Sequence, residues 1–341
     1  MNYYQTKSGL KVAFVTGEAS ILDATRGIGV HTGELVKSIN QLFSRSVKIT
    51  ENIQSADIVH YTKFRPFFVD IPFFKPKNQK WVLTIHDLIP LIYPNHYPSG
   101  IKGGLNLLIN KFLVRKNIDA IITISETSKK DICRFLGVTP DKVHVIHLAP
   151  ATRNQISEST PLPEKFVLYV GDVNYNKNIS ILIKATQKLN LKLVIVGKQA
   201  KEIEKMNLNH AELEHLKNID WSNTLRLGFV DDGNIVSIYK KAFCYVQPSF
   251  YEGFGLPILE AMAAGCPVIA AKTQALVEVG GEACIYFDPY DFSDLSKKIR
   301  FIIEDSRFRN QQIQKGFERV KNFSWEMSAR QTVNIYEKVL L

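Results

Sequence analysis

The chain has 341 residues, 43 Lys and Arg against 33 Asp and Glu, and a formal charge of +10, with 45% apolar residues. That length suffices for two domains with real cores, and the apolar content excludes a disordered or fibrous chain. No apolar run is long enough to span a bilayer, and Met1-Asn2-Tyr3-Tyr4-Gln5 leads straight into an apolar strand without a secretory leader, so cytoplasmic work is expected, with peripheral contact to the membrane face as an option. Cys133, Cys244, Cys266 and Cys284 are scattered without disulfide or metal-ligand spacing, which suits buried thiols in a reducing compartment.

In chain order, residues 11 to 16 form the first apolar strand, followed by Arg26-Gly27-Ile28-Gly29-Val30-His31 and an amphipathic stretch from Thr32 to Phe43. By itself the Gly27-x-Gly29 pair marks a turn between strand and helix. Further strands are expected at 46 to 50 and 57 to 61. Residues 63 to 77 then interleave Lys63, Arg65, Lys75 and Lys77 with Phe64, Phe67, Phe68, Phe73 and Phe74, and only Asp70 is acidic. Arg115, Lys116, Lys129, Lys130 and Arg134 add charge nearby in sequence. Such a segment suits an anionic leaflet or a lipid-linked acceptor; equally, its aromatics can pack a loop while its lysines keep the protein in solution. A nucleic-acid partner is not expected, since no nucleic-acid motif is present.

Residues 81 to 85 make a strong strand that runs into His86-Asp87-Leu88-Ile89-Pro90. Residues at the carboxyl ends of parallel strands face the ligand crevice of doubly wound sheets, which makes His86 the candidate from this half. Asp87 suits ordering of the turn. A strand at 119 to 124 leads into Thr123-Ile124-Ser125-Glu126-Thr127-Ser128, where Ser125 reads as a helix N-cap with Ser128 in the first turn, or as a ligand-orienting hydroxyl. After a strand at 143 to 147, the Ser-, Thr- and Pro-rich stretch from Ala149 to Glu164 reads as a linker.

The second half repeats the alternation, with strands at 166 to 170, 192 to 196, 225 to 229, 242 to 247, 268 to 271 and 283 to 287. Alternating strands and helices imply parallel sheets with right-handed crossovers. Asp231-Asp232 reads as a helix start and not as part of a metal site. The densest signal runs from Pro248 through Glu252-Gly253-Phe254-Gly255-Leu256-Pro257 to Glu260 and Gly265-Cys266-Pro267. Pro257 suits the first position of a helix, placing Glu260 in its first turn and the amides of Gly253 to Leu256 at a helix N-terminus. Such a terminus attracts anions, and the carboxylates of Glu252 and Glu260 accept hydrogen bonds from hydroxyls, a combination suited to a polyol carrying a phosphate.

This segment closely resembles the E-x7-E signature of the retaining glycosyltransferase family 4. The resemblance implies an α/β protein of GT-B architecture, two Rossmann-like doubly wound parallel-sheet domains facing a central cleft. Residues 1–155 would form the acceptor-side domain, residues 164–325 the nucleotide-sugar domain, and a terminal helix at about 326–341 would pack back on the first. It implies that Glu252 holds donor-sugar hydroxyls, that Glu260 holds the ribose, and that the amides of Gly253, Phe254, Gly255 and Leu256 face sugar and diphosphate. Gly171-Asp172-Val173-Asn174-Tyr175-Asn176-Lys177-Asn178 resembles the family's diphosphate loop, with Lys177 as its cation; many relatives carry Arg where this chain has Asn176. Gly27 and Gly29 resemble the first glycine loop, His86 the histidine that touches the donor sugar, and Ser125 part of a strand-end motif.

The implied reaction moves a hexosyl unit from a UDP- or GDP-sugar to a saccharide or lipid-linked acceptor in surface polysaccharide synthesis, with retention and with no cofactor or metal. His86, Lys177 and Glu252 would carry it. A sugar-nucleotide isomerase of the same architecture and a non-catalytic sugar-nucleotide-binding partner are the alternatives, since fold and pocket do not guarantee activity.

Overall fold

A computed structural model describes residues 9–16, 28–151 and 161–341. The chain divides into two compact units, one comprising Met1–Ile92, Ser99–Leu148 and Ser324–Leu341, the other Tyr93–Pro98 and Ala149–Phe323. Each holds a six-stranded sheet in which every described pairing is parallel.

In the first unit the strands are β1 (Leu10–Val15), β2 (Val47–Ile49), β3 (Ile58–Tyr61), β4 (Lys80–Thr84), β5 (Ala120–Thr123) and β6 (Val143–Val145). Their helices are α1 (Ile28–Phe43), the short α2 (Ile89–Ile92), α3 (Gly100–Asn117) and α4 (Glu126–Leu136). The spatial order is β2-β1-β3-β4-β5-β6, so the winding reverses between β1 and β3. Strands covered on both faces are largely apolar, and β3 and β5 are buried at every position, with His60 and Thr123 their polar members. Val59, Trp81, Leu83 and Ile121 pack against Leu113, Val114, Ile132 and Leu136 from α3 and α4.

The second unit contains β7 (Phe166–Val170), α5 (Ile179–Lys188), β8 (Lys192–Val196), α6 (Lys198–Lys201), β9 (Thr224–Gly228), α7 (Asp232–Lys241) and β10 (Cys244–Gln247). It continues with α8 (Leu256–Ala263), β11 (Val268–Ala271), α9 (Gln274–Gly280), β12 (Cys284–Phe287), α10 (Phe292–Glu304) and α11 (Ser306–Val320). Its order is β12-β11-β10-β7-β8-β9, so the reversal falls between β7 and β10. A reversal point leaves a crevice at the carboxyl ends of the two central strands, because the loops leaving them run in opposite directions. At the same end the chain leaving β8 closely approaches the chain leaving β7: a Cβ added to Gly197 would lie 2.1 Å from the carbonyl oxygen of Gly171.

The last helix, α12 (Trp325–Leu340), belongs to the first unit and packs along α1. Ser324 caps it by accepting a hydrogen bond from Met327 N, and Ser328 Oγ donates to the carbonyl of His147 at 2.7 Å. Tyr336 OH meets His60 Nδ1 at 2.7 Å inside the sheet. Among the described residues no helix is long and apolar enough to cross a membrane.

The basic and aromatic segment from 63 to 77 divides in two. Ile71 is buried and Phe64 packs against the core, while Arg65 pairs with Asp70 and Lys75 with Asp119. Phe68, Phe73 and Phe74 are exposed.

Candidate active site

In the second unit the loops that leave β7 and β10 are bound to each other by asparagines. Asn178 adopts a left-handed backbone, φ 51°, which asparagine tolerates, and its side chain donates to the carbonyls of Pro248 at 3.1 Å and Pro289 at 2.9 Å. Asn176 is buried. Its side chain donates to Tyr251 O at 3.0 Å and accepts from Tyr97 OH at 2.7 Å, and its carbonyl accepts from Phe250 N at 2.8 Å. Asn176 is therefore a structural tie between the two loops.

Between these ties stands Lys177. Its Nζ donates to both oxygens of Glu252, at 2.8 and 2.9 Å. Glu252 is only 8% exposed, and its Oε1 also accepts from Gln247 Nε2 at 2.8 Å and Ser249 Oγ at 2.7 Å. Burial of a carboxylate is costly unless charge and donors compensate it, and here a cation and two neutral donors do so. The result is a fixed acidic group and a fixed cation at the mouth of the β7/β10 crevice.

The chain then turns into α8 through Gly255, whose φ of 97° is open to glycine and strained for other residues; a Cβ there would also stand 2.6 Å from Leu276 Cδ2. This turn changes the expected helix start. Because Gly255 supplies the reversal, α8 begins at Leu256, Pro257 takes the second position, and Glu260 falls beyond the first turn. Gly253 and Phe254 are buried ahead of it, Phe254 meeting the ring of Phe323 edge-on at 6.0 Å. Glu260 is half-buried, and Tyr239 OH donates to its Oε2 at 3.3 Å.

The first unit presents a different group. His86 follows β4 and is half-buried, with its Nε2 2.8 Å from Nδ1 of His31 on α1. The rings meet edge-on at 5.0 Å, and the other side of His31 stacks on Trp325 of α12 at 5.5 Å. Burial lowers the His86 pKa to about 4 and moves that of His31 well below the ordinary value, with the neighbouring imidazoles His86 and His60 adding to the His31 shift. Both rings are thus neutral near pH 7, and in their hydrogen bond one donates while the other accepts. Behind them His60 lies between Tyr336 OH and Thr84 Oγ1, each at 2.7 Å, and burial, followed by the His86 charge, holds its pKa down to about 3.

Ser125 caps α4, its Oγ accepting from Ser128 N at 3.0 Å, and Ser128 Oγ donates to the carbonyl of His86 at 2.8 Å. Ser125 therefore fixes the turn that holds His86. Asp87 accepts from Ile89 N at 3.1 Å and orders the same turn. Gly27 lies outside the described residues. Gly29 was expected in a loop ahead of a helix starting at Thr32; it is instead buried in the first turn of α1, because the helix extends back to Ile28. First-turn amides lack intrahelical partners, so that position still places backbone donors at a helix start. Among the described residues no group of three or more His, Cys, Asp or Glu side chains is arranged to hold a metal ion.

Sequence reasoning missed His31, His60, Gln247, Ser249 and Tyr97. The alternation Gln247-x-Ser249 before Glu252 was an available signal, since polar residues closing a buried strand need partners. The histidine contacts had none, because they join residues far apart in the chain.

Residues 152–319 match the family profile described as Glycosyl transferases group 1, and residues 4–149 match Glycosyltransferase Family 4. The O-antigen chain mannosyltransferase B of Escherichia coli is 30% identical over 275 residues, which cover 76% of this chain and 70% of that protein. The serotype-specific mannosyltransferase WbdA of the same organism is 27% identical over 83% of this chain, which spans only 37% of its length. Among solved structures, Anabaena Alr3699/HepE in complex with UDP superposes with a TM-score of 0.67 at 16% identity, covering 96% of this chain and 100% of that one. The paired parallel sheets are those of the GT-B fold.

Proposed function

The chain belongs to the group 1 glycosyl transferases, with Glycosyltransferase Family 4 matched across its first half, and from that premise we propose that it transfers a hexosyl unit, mannosyl foremost, from a UDP- or GDP-sugar to a growing surface glycan. The observation that carries this reading is the Lys177–Glu252 pair at the β7/β10 reversal, beside the amides that open α8. A nucleoside diphosphate sugar carries two features that such a site matches, a diphosphate for the cation and amides and hydroxyls for the carboxylates. The mannosyltransferase names of two relatives support a mannosyl donor and an O-antigen-like acceptor, and the UDP complex of the structural neighbour supports a nucleotide ligand.

In the proposed reaction the bond from the anomeric carbon to the diphosphate oxygen breaks. A bond to the acceptor oxygen forms on the same face, and the acceptor proton passes to the departing diphosphate. Lys177 and the loop amides stabilise the charge that develops on the leaving group. Glu252, held by Gln247 and Ser249, accepts from donor-sugar hydroxyls and orients the ring; Glu260 accepts from the ribose. His86, in the first unit, is a hydrogen-bonding group that stays neutral near pH 7. The reading includes no cofactor and no metal, the charge work falling to Lys177.

The test is nucleotide release from GDP-mannose and from UDP-hexoses with and without a lipid-linked mannan or O-antigen primer. Release that requires the acceptor, together with a lengthened glycan, is the expected result. An altered free sugar nucleotide without transfer would establish an isomerase, and absence of both binding and release with every donor would leave a non-catalytic protein.

A further inference from the structure

Helix α3 has two apolar sides, and only one of them is used by the core. On the inner side Leu113 and Val114 are buried in the sheet packing. Three asparagines on that side hold the preceding loop. Asn110 Nδ2 donates to the carbonyls of Pro66 at 3.0 Å and Phe68 at 2.7 Å, Asn106 to that of Phe67 at 3.0 Å, and Asn117 to that of Pro72 at 3.0 Å. The helix is thus tied to the loop by its inner side, while Arg115 Nε at its outer border donates to the carbonyl of Leu136 on α4 at 3.0 Å.

That outer side carries Ile101, Leu105, Leu108 and Phe112, exposed by 97%, 59%, 62% and 58%. Their spacing of four, three and four residues keeps them within a sector of about 60° on the helix. At the same rotation per residue, Lys111 and Arg115 fall along one border of the stripe and Lys102 and Lys116 along the other. Lys116 Nζ lies 5.3 Å from the Phe112 ring centre, and Leu108, Phe112, Lys111, Arg115 and Lys116 line a shallow groove. The helix contains no Asp or Glu. An apolar stripe bordered on both sides by cations, on a helix too polar to span a bilayer, matches the surface of an anionic membrane. The side chains enter the acyl boundary and the lysines meet the headgroup phosphates. A protein partner would more often present a stripe with borders of mixed sign.

We propose that the outer face of α3 docks the protein on an anionic phospholipid bilayer. The surface stands independently of the donor-site reading, since none of its residues belongs to that site. Docking there keeps the first unit at the plane in which a lipid-linked acceptor is found.

The experiment is vesicle flotation of the full chain with phosphatidylcholine alone and with added phosphatidylglycerol. It compares the parent protein with Leu105→Ser/Leu108→Ser and with Lys102→Glu/Lys111→Glu/Lys116→Glu. These side chains are at the surface, and unchanged melting temperatures establish that the variants fold. The expected result is binding to the anionic vesicles only, weakened at least about tenfold in both variants and by raised salt. Binding that neither variant changes, or no binding by the parent, overturns the proposal. A parent dimer in solution that Leu105→Ser/Leu108→Ser turns into a monomer also overturns it, assigning the face to a second copy of the chain.

Discussion

Replacing Lys177 by Ala tests the site at its charged centre. The Lys177 ammonium meets both oxygens of Glu252 within 2.9 Å, with side-chain exposures of 23% and 9%. Removing one partner of a fully buried pair costs about 3–5 kcal/mol. Here the loss is smaller, because Glu252 keeps Gln247 and Ser249 as donors and one side of the pair is wet. A charge-assisted hydrogen bond of this kind is worth about 1.5–3 kcal/mol, so a loss of about 2 kcal/mol is expected. For a unit of this size that lowers the melting temperature by roughly 4–8 °C. Glu252→Gln leaves a partly solvated lysine and should cost about 1 kcal/mol, with a coupling of about 1–2 kcal/mol in the double-mutant cycle. If Lys177 also stabilises the departing diphosphate, kcat falls about 10²–10³-fold in Lys177→Ala. Denaturant unfolding of the four proteins in the cycle, with acceptor-dependent nucleotide release on each, measures both quantities. Stability effects that add within about 0.3 kcal/mol would show that the two side chains do not share an ion pair in solution. A kcat within a few-fold of the parent would remove Lys177 from the chemistry.

Acid should destabilise the first unit through His60. Its native pKa of about 3 lies below the unfolded value of about 6.5, so the stabilisation is complete above pH 6.5 and is lost as the pH falls toward 3. The slope is about 1.4 kcal/mol per pH unit between the two pKa values, and His60→Gln should reduce the dependence of unfolding free energy on pH between about 4 and 5.5 by nearly that amount; an unchanged slope would mean that folded His60 takes up the proton. Asn176→Arg should lower stability by about 2–4 kcal/mol without tightening nucleotide binding. The guanidinium would enter a buried position and break the two side-chain hydrogen bonds, and calorimetric titration with GDP and UDP alongside melting checks both parts. Gly197→Ala should cost at least about 3 kcal/mol or abolish folding, because the new methyl collides with backbone and not with a side chain that can turn aside; a parent-like melting curve would contradict the packing of β7 on β8.

All twelve strands lie where the apolar runs place them, within two residues at either end, since strands buried on both faces need near-continuous apolar sequence that little else in a chain imitates. The Glu252-to-Glu260 segment was equally legible because loop, turn and helix start are contiguous and their chemistry is local. The start of α8, expected near Ile258, lies at Leu256, because the left-handed freedom of Gly255 and not the proline sets the turn. The extent of α1 was misjudged because Gly29 resembles a turn residue until tertiary packing buries it.

What the sequence by itself determined is the alternation of elements, the two parallel sheets and the family, all of which follow from local propensity and short motifs. Only the tertiary structure decided which strands are neighbours, and with that the reversal points between β1 and β3 and between β7 and β10. It alone joined Lys177 to Glu252 across 75 residues, His31 to His86 across 55, and His60 to Tyr336 across 276. The physical reason is the same in each case. A hydrogen bond or ion pair between distant residues leaves no periodicity in the chain, because its partners are selected by strand order and helix packing after the local elements have formed.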